Sequence, residues 1–297
     1  MKCLSGLSAF TLTPFSSVGV VDVDHLQQLV ARLAATEIDS IGVLGSTGSY
    51  MYLSRAQRAR AIEAAVEACG GKPILAGIGD LRTDQVIEHT ISADEAGASA
   101  LLLAPVSYLP LTERDFTELV NTVSTVTSLP ICLYNNPGTT HFTMTPELVA
   151  SLATLQTVKA VKNPAPADLL SASELAEKRI ALPEGFVLGF SGDAVIAHVL
   201  SAGADAWYSV IAGTLPGLAL KIWGARAEPE KLGLLQTQCK PLWECFNTWG
   251  SIRVAPEISR MVGLGSLELA LPLQPLEHRA VSQVDRALQA LNANMLI

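Results

Sequence analysis

The stretches of this 297-residue chain whose residue types could do chemistry are Gly45-Ser46-Thr47-Gly48, Tyr134-Asn135-Asn136-Pro137, Lys162-Asn163-Pro164 and Ser191-Gly192-Asp193. Lys162 is the sharpest of them, because it ends an otherwise apolar run that begins at Val158. An amine carried out of water at the end of such a run is shifted toward its neutral form. A neutral amine is a nucleophile. With a ketone it condenses to an iminium, an electron sink that lets the adjacent carbon form or lose a bond. The competing reading is a lysine whose stem lies on apolar surface while its ammonium reaches solvent. Lys159, near the start of the same run, is assigned that role.

Tyr134 adds a phenol able to move a proton to and from a reacting oxygen within about 3 Å. Alone at a strand end, a tyrosine is ordinarily a core residue with a satisfied hydroxyl. Beside Lys162 on a neighbouring run, it is read as a proton relay. Gly45 to Gly48 set small residues and hydroxyls at the head of a helix, where free backbone N–H groups can hold a carboxylate. Phosphate is the rival anion, although the Walker pattern with its lysine is absent.

The elements that must position these residues follow from hydrophobic patterning. Short apolar runs lie near Gly6 to Leu12, Ser40 to Gly45, Pro73 to Ile78, Ala100 to Pro105, Pro130 to Tyr134, Val158 to Lys162, Phe186 to Phe190 and Ala206 to Val210. They alternate with amphipathic stretches, the pattern of βα units whose parallel strands are buried on both faces. Their starts are roughly 20 to 35 residues apart, room for a strand, a loop and a helix each time. Eight such runs predict an α/β protein, a (β/α)₈ TIM barrel, with the candidate residues at the C-terminal strand ends where barrels place active sites.

Helix starts are marked by Asp22, by Ser54 and by Thr145-Pro146-Glu147, a cap followed by proline at the first helical position. Beyond the last run, Leu232, Leu235, Leu242 and Trp243, then Val281, Val284, Leu288 and Leu291, keep helical spacing within Leu215 to Ile297. No Gly/Ser-rich linker intervenes. One domain is expected over residues 1–297, a barrel to about 225 and a C-terminal helical extension from about 226 packed on it. A doubly wound open sheet is the alternative architecture, but the Gly-rich dinucleotide turn is missing after the first strand.

Hydrophobic residues at 49% against 16% charged suit a large buried core rather than a disordered chain. A net charge of −8 disfavours a nucleic-acid or anionic-membrane partner. Cys3, Cys69, Cys132, Cys239 and Cys245 are scattered without a CxxC pair or a His/Cys cluster, so neither a disulfide framework nor a metal site is expected. With no signal-peptide pattern near the start and no run of about 18 apolar residues, a cytoplasmic enzyme is expected. No organic cofactor is implied, since the lysine supplies the electron sink.

Thr11-Leu12-Thr13-Pro14-Phe15, Gly45 to Gly48, Tyr134 to Pro137, Val161-Lys162, Ser191-Gly192-Asp193 and Ala202-Gly203-Ala204-Asp205 together resemble the dihydrodipicolinate synthase and N-acetylneuraminate lyase superfamily of pyruvate-dependent class I aldolases and lyases. They occur in that superfamily's order and near its spacing. The resemblance implies Lys162 as Schiff-base residue, Tyr134 as proton relay and Ser46 and Thr47 as holders of the pyruvate carboxylate. It implies a backbone contact to pyruvate from Tyr208, and a homo-oligomer, tetramer or dimer.

The departures lie where substrates differ. Thr139 occupies the place of an arginine that binds the second substrate's carboxylate in the synthases, so a bidentate partner is lost. Ser107 falls where those synthases share a tyrosine across an interface, and Tyr108 is one residue off. Ala194 replaces an acidic residue of the sialic-acid lyases, and Ser49 a common glutamate. The expected activity is therefore a Schiff-base lyase joining or splitting pyruvate and an aldehyde, or a dehydratase working through the same iminium. Thr139, Tyr108 and Tyr208 are expected to make a less charged, more aromatic pocket suited to a neutral or apolar aldehyde. Dihydrodipicolinate synthase activity itself, and a non-catalytic barrel that binds an oxo acid, stay open as alternatives.

Overall fold

Each expected apolar run contains a strand, and the computed structural model, which describes residues 3–15 and 19–291, closes all of them into a barrel. The strands are β1 (Gly6–Phe10), β2 (Ser40–Val43), β3 (Ile74–Gly77), β4 (Ala100–Leu103), β5 (Ile131–Tyr134), β6 (Val158–Pro164), β7 (Val187–Ser191) and β8 (Ala206–Ser209). All pairings are parallel, and β8 returns to β1 to seal the cylinder. Most strands stop a residue or two before the end of their apolar run. The exceptions are β5, which ends with its run at Tyr134, and β6 and β7, which run past theirs because Asn163 and Pro164 pair with Phe190 and Ser191.

Alternation along the strands divides the core in two. Residues such as Leu7, Ile41 and Val161 face outward into a continuous apolar cluster with the surrounding helices. Phe10, Leu75, Leu102, Cys132, Ala160 and Tyr208 belong to a second cluster inside the barrel. Two rings, Phe10 and Tyr208, pack edge to face there, with centroids 6.1 Å apart. They have room because facing positions lack side chains: a Cβ on Gly42 would lie 2.6 Å from the Phe10 ring, and one on Gly189 would lie 2.4 Å from that of Tyr208.

The helix starts read from sequence are real caps. Asp22 accepts from the His25 N–H, Ser54 and Gln57 form a reciprocal capping box, and Thr145 caps Pro146–Leu152. At the N-terminal face, Asp205 accepts from the Leu188 N–H at 2.8 Å and pairs with Arg179 at 2.7 Å. The Ala202 to Asp205 motif thus ties β8 to β7 at the end of a barrel that serves stability.

The C-terminal part consists of helices Pro216–Gly224, Pro229–Trp249, Ser251–Met261 and His278–Ala290. Their Leu232, Leu242, Val254, Val284 and Leu288 join the same apolar cluster as the strand residues. The last part of the expected extension, residues 292–297, lies outside the described residues. Among the described residues no helix is long and apolar enough to cross a membrane, and no group of three or more His, Cys, Asp or Glu could hold a metal ion.

The connection after β2 departs from ordinary backbone geometry. Leu44 (φ 57°) and Ser49 (φ 58°) are left-handed without being glycine, and they bracket Gly45 to Gly48. Such conformations cost on the order of 1–3 kcal/mol each and persist only where surrounding packing imposes them. Here Leu44 is buried, and its carbonyl presses on β3 where a Cβ on Gly77 would lie 1.8 Å away. Gly77→Ala should therefore lower stability by about 1–3 kcal/mol, read as a shifted urea midpoint at unchanged slope. A midpoint equal to wild type would mean that this contact does not hold the loop.

Candidate active site

Register brings the two central groups together. In the β5–β6 pair, Tyr134 lies opposite Lys162, so phenol and amine leave adjacent strands at the same height. Lys162 is only 4% exposed. Its Nζ sits 4.0 Å from the centroid of the Tyr134 ring and 4.3 Å from that of Phe10. Among the described residues it forms no ion pair, so two aromatic faces surround the amine in place of a carboxylate.

The Tyr134 hydroxyl accepts a hydrogen bond from Asn136 Nδ2 at 2.9 Å and lies 3.3 Å from Ser46 Oγ. Asn136 also donates to Thr139 Oγ1 at 2.7 Å. A hydrogen-bonded series therefore runs from the β2 loop to the β5 loop through the phenol. Thr47 reaches Ser251 Oγ at 3.3 Å, which brings a C-terminal helix to the barrel mouth. Ser46, Thr47, Tyr134, Thr139 and Lys162 all line one cavity of about 340 Å³.

Asp193, at the end of the Ser191-Gly192-Asp193 stretch, is buried at the side of this cavity. Its carboxylate accepts from Trp207 Nε1 at 2.9 Å and from the Ile211 N–H at 2.7 Å. Burial holds its pKa above the usual carboxylate range, opposed by these donors and by the nearby Lys162 charge. Asn135 and Asn163 bond to each other at 2.9 Å and brace the ends of β5 and β6.

Several expectations change. Gly45 to Gly48 do not head an α-helix: they lead into the short 3₁₀ turn Tyr50–Tyr52, and the helix begins only at Arg55. The loop therefore offers an anion only hydroxyls and backbone N–H groups, without a long helix behind them. Tyr208 lends the cavity its ring, while its hydroxyl donates to the Leu4 carbonyl at 2.8 Å on the barrel floor. Burial holds that phenol well above the usual tyrosine range. Tyr108 is 91% exposed and lines neither the lysine cavity nor the one beside it, so within one chain it does not make the pocket aromatic.

The ring of Phe10 and the hydroxyl of Ser251 were not singled out from sequence. Phe10 ends β1, next to the quoted Thr11 to Phe15 motif, and a ring facing Gly42 and Gly45 is the signal that pairs them. Ser251 follows Gly250, whose positive φ of 78° separates two C-terminal helices, and nothing local marks it as a site residue.

Fold and polar cluster together define a (β/α)₈-barrel enzyme with its site at the C-terminal strand ends. The chain belongs to the dihydrodipicolinate synthetase family, whose profile matches residues 3–291. A 4-hydroxy-tetrahydrodipicolinate synthase from Stenotrophomonas maltophilia (strain R551-3) is 30% identical, with 98% of each chain covered. One from Bacillus subtilis (strain 168) is also 30% identical, over 91% of this chain and 93% of its own. The crystal structure of a dihydrodipicolinate synthase from Agrobacterium tumefaciens superposes with a TM-score of 0.94 at 44% identity, covering 98% of this chain and 99% of that one.

Behind the β2 loop, a buried ionic group holds the wall of the site. Arg58 donates to the Gly79 carbonyl at 2.7 Å, pairs with Asp80 at 3.2 Å and lies over the Tyr50 ring. His89 Nε2 reaches the same Asp80 oxygen at 3.1 Å. Burial and then the Arg58 charge hold His89 below the ordinary histidine range, with Asp80 opposing them. A depressed histidine leaves the unfolded chain binding more protons as pH falls. Stability should thus decline from about pH 6.5 downward, until the folded His89 itself titrates. His89→Gln should flatten that decline in urea midpoints between pH 7 and 5.5, and an unchanged slope would exclude His89 as its source.

Proposed function

We propose that this chain is a Schiff-base lyase that joins or splits a 2-oxo acid such as pyruvate and an aldehyde, with Lys162 as the covalent residue. The observation that carries the reading is the Lys162 amine, buried between two aromatic faces, without a carboxylate partner, beside the Tyr134 hydroxyl. A counter-ion there would compete with a substrate carboxylate. Aromatic faces instead stabilise the iminium cation once it forms at that point.

In this mechanism, Lys162 Nζ adds to the keto carbon and the carbinolamine loses water to give the iminium. Because Asn136 donates to the Tyr134 oxygen, the phenolic proton is left free to be given toward Ser46 or toward the departing hydroxyl. Ser46 and Thr47 hydroxyls and the loop N–H groups hold the carboxylate. The iminium loses a proton from the adjacent carbon, and the enamine carbon bonds to the aldehyde carbon. The aldehyde oxygen takes up a proton, and water hydrolyses the iminium to free Lys162. Splitting is the same sequence reversed.

For the second substrate, Thr139 is a hydroxyl bonded to Asn136, and among the described residues no arginine lines the cavity. This favours an aldehyde without a carboxylate near its reacting carbon. A second reading, 4-hydroxy-tetrahydrodipicolinate synthase activity, is favoured by the names of the relatives at 30% identity. A homo-oligomer, dimer or tetramer, is also part of the proposal, supported by exposed Tyr108 and Leu109 on the loop after β4.

Borohydride reduction in the presence of pyruvate should fix a three-carbon adduct on Lys162, located by peptide mass mapping, and Lys162→Ala should abolish it. An adduct on another lysine, or none, would overturn the mechanism. Tyr134→Phe should lower kcat by about 10²- to 10⁴-fold. Steady turnover of aspartate semialdehyde by the wild-type enzyme would establish the second reading instead.

A further inference from the structure

A second cavity, of about 440 Å³, adjoins the first. Ser46, Thr47, Thr139 and Ser251 line both, so these hydroxyls form the sill between them. Beyond the sill the walls are mainly Tyr50, Met51, Tyr52, Val106, Ile252 and Leu273, with the small hydroxyl residues Ser49, Ser107 and Thr140 between them, and among the described residues no Asp, Glu, Lys, Arg or His lines the space. Tyr50 is buried as the inner wall, while Met51 and Tyr52 are partly exposed on the outer side. Arg58 lies behind Tyr50, reaches Met51 Sδ at 3.9 Å and is held by Asp80 and by the Leu53 and Gly79 carbonyls.

We infer that this chamber receives the substituent of the second substrate, and that this substituent is an uncharged hydrocarbon group of about the size of an aromatic ring. The inference rests on the Schiff-base reading above. The enamine carbon formed at Lys162 bonds to the aldehyde carbon at the sill, where hydroxyls can meet the aldehyde oxygen as it takes up its proton. The substituent then points away from the lysine into the apolar space. A carboxylate or ammonium carried there would lose water without meeting an opposite charge, which is costly, whereas a ring or branched chain gains by burial. The volume lies within the roughly 300–1,000 Å³ range of small-molecule sites. No atoms are lost in the joining step: pyruvate and an arylaldehyde give a 4-aryl-4-hydroxy-2-oxo acid, and splitting returns both.

The test compares kcat/KM for benzaldehyde, acetaldehyde and succinic semialdehyde with pyruvate, alongside borohydride trapping of pyruvate alone on the same preparation. Benzaldehyde should exceed both others by about tenfold or more. Ile252→Arg should move preference toward succinic semialdehyde by about tenfold while pyruvate is still trapped on Lys162. Should that variant fail to trap pyruvate, Ile252→Ala serves in its place, with the KM for benzaldehyde expected to rise about three- to tenfold. Failure of the wild-type enzyme to trap pyruvate would overturn the Schiff-base reading. Trapping without turnover of benzaldehyde, or with succinic semialdehyde the better substrate, would overturn the chamber assignment and leave that reading standing. An Ile252 variant that traps pyruvate but keeps the wild-type order and KM would also overturn the assignment.

Discussion

A buried amine without a counter-ion is the constraint on which the rest of the site depends. Lys162 lies between the faces of Phe10 and Tyr134, and both rings need neighbours that leave them space. Gly42 and Gly45 provide it for Phe10, and the β5–β6 register provides the approach of Tyr134. Aromatic faces border the amine without the direct ion pair that would compete with an incoming carboxylate. Asp193, the acid that lines the same cavity, has its oxygens engaged by Trp207 and Ile211.

The hydroxyls facing the lysine are presented by backbone under strain. Leu44 and Ser49 adopt left-handed conformations at the two ends of the β2 loop, and Gly77 alone gives the Leu44 carbonyl its place. The Arg58–Asp80–His89 group fixes the far side of the loop through the Gly79 and Leu53 carbonyls and the Tyr50 ring. Strain at both ends of the loop and a buried ionic group behind it confine Ser46 and Thr47 to the cavity wall. Neither device touches the lysine.

Charge distribution then divides the site into two halves with different chemistry. The lysine half holds the amine and the hydrogen-bonded phenol, while the half beyond Thr47 and Ser251 has, among the described residues, no ionisable lining apart from tyrosine hydroxyls. A single fold can keep a common first step and alter the second substrate by changing only the second half, because barrel loops vary independently of the strands that carry them. Thr139 stands at the boundary, bonded to Asn136 and through it to the Tyr134 hydroxyl.

Much of this was legible in the residues themselves. Apolar runs at βα spacing determined the barrel, since a parallel strand buried on both faces can be written in few other ways. The strand-end positions of Lys162 and Tyr134 determined the candidate chemistry, because barrel strands deliver their last residues to one face. Tertiary structure alone decided what surrounds them. That the Tyr208 hydroxyl turns to the Leu4 carbonyl, that Tyr108 faces solvent, and that the β2 loop enters a 3₁₀ turn depend on contacts distant in sequence. Likewise Phe10 beneath the amine and Ser251 at the sill come from opposite ends of the chain, and no local spacing encodes their meeting. A side chain's type and strand position are local properties; its partners are set by packing, which only the closed barrel and its C-terminal helices determine.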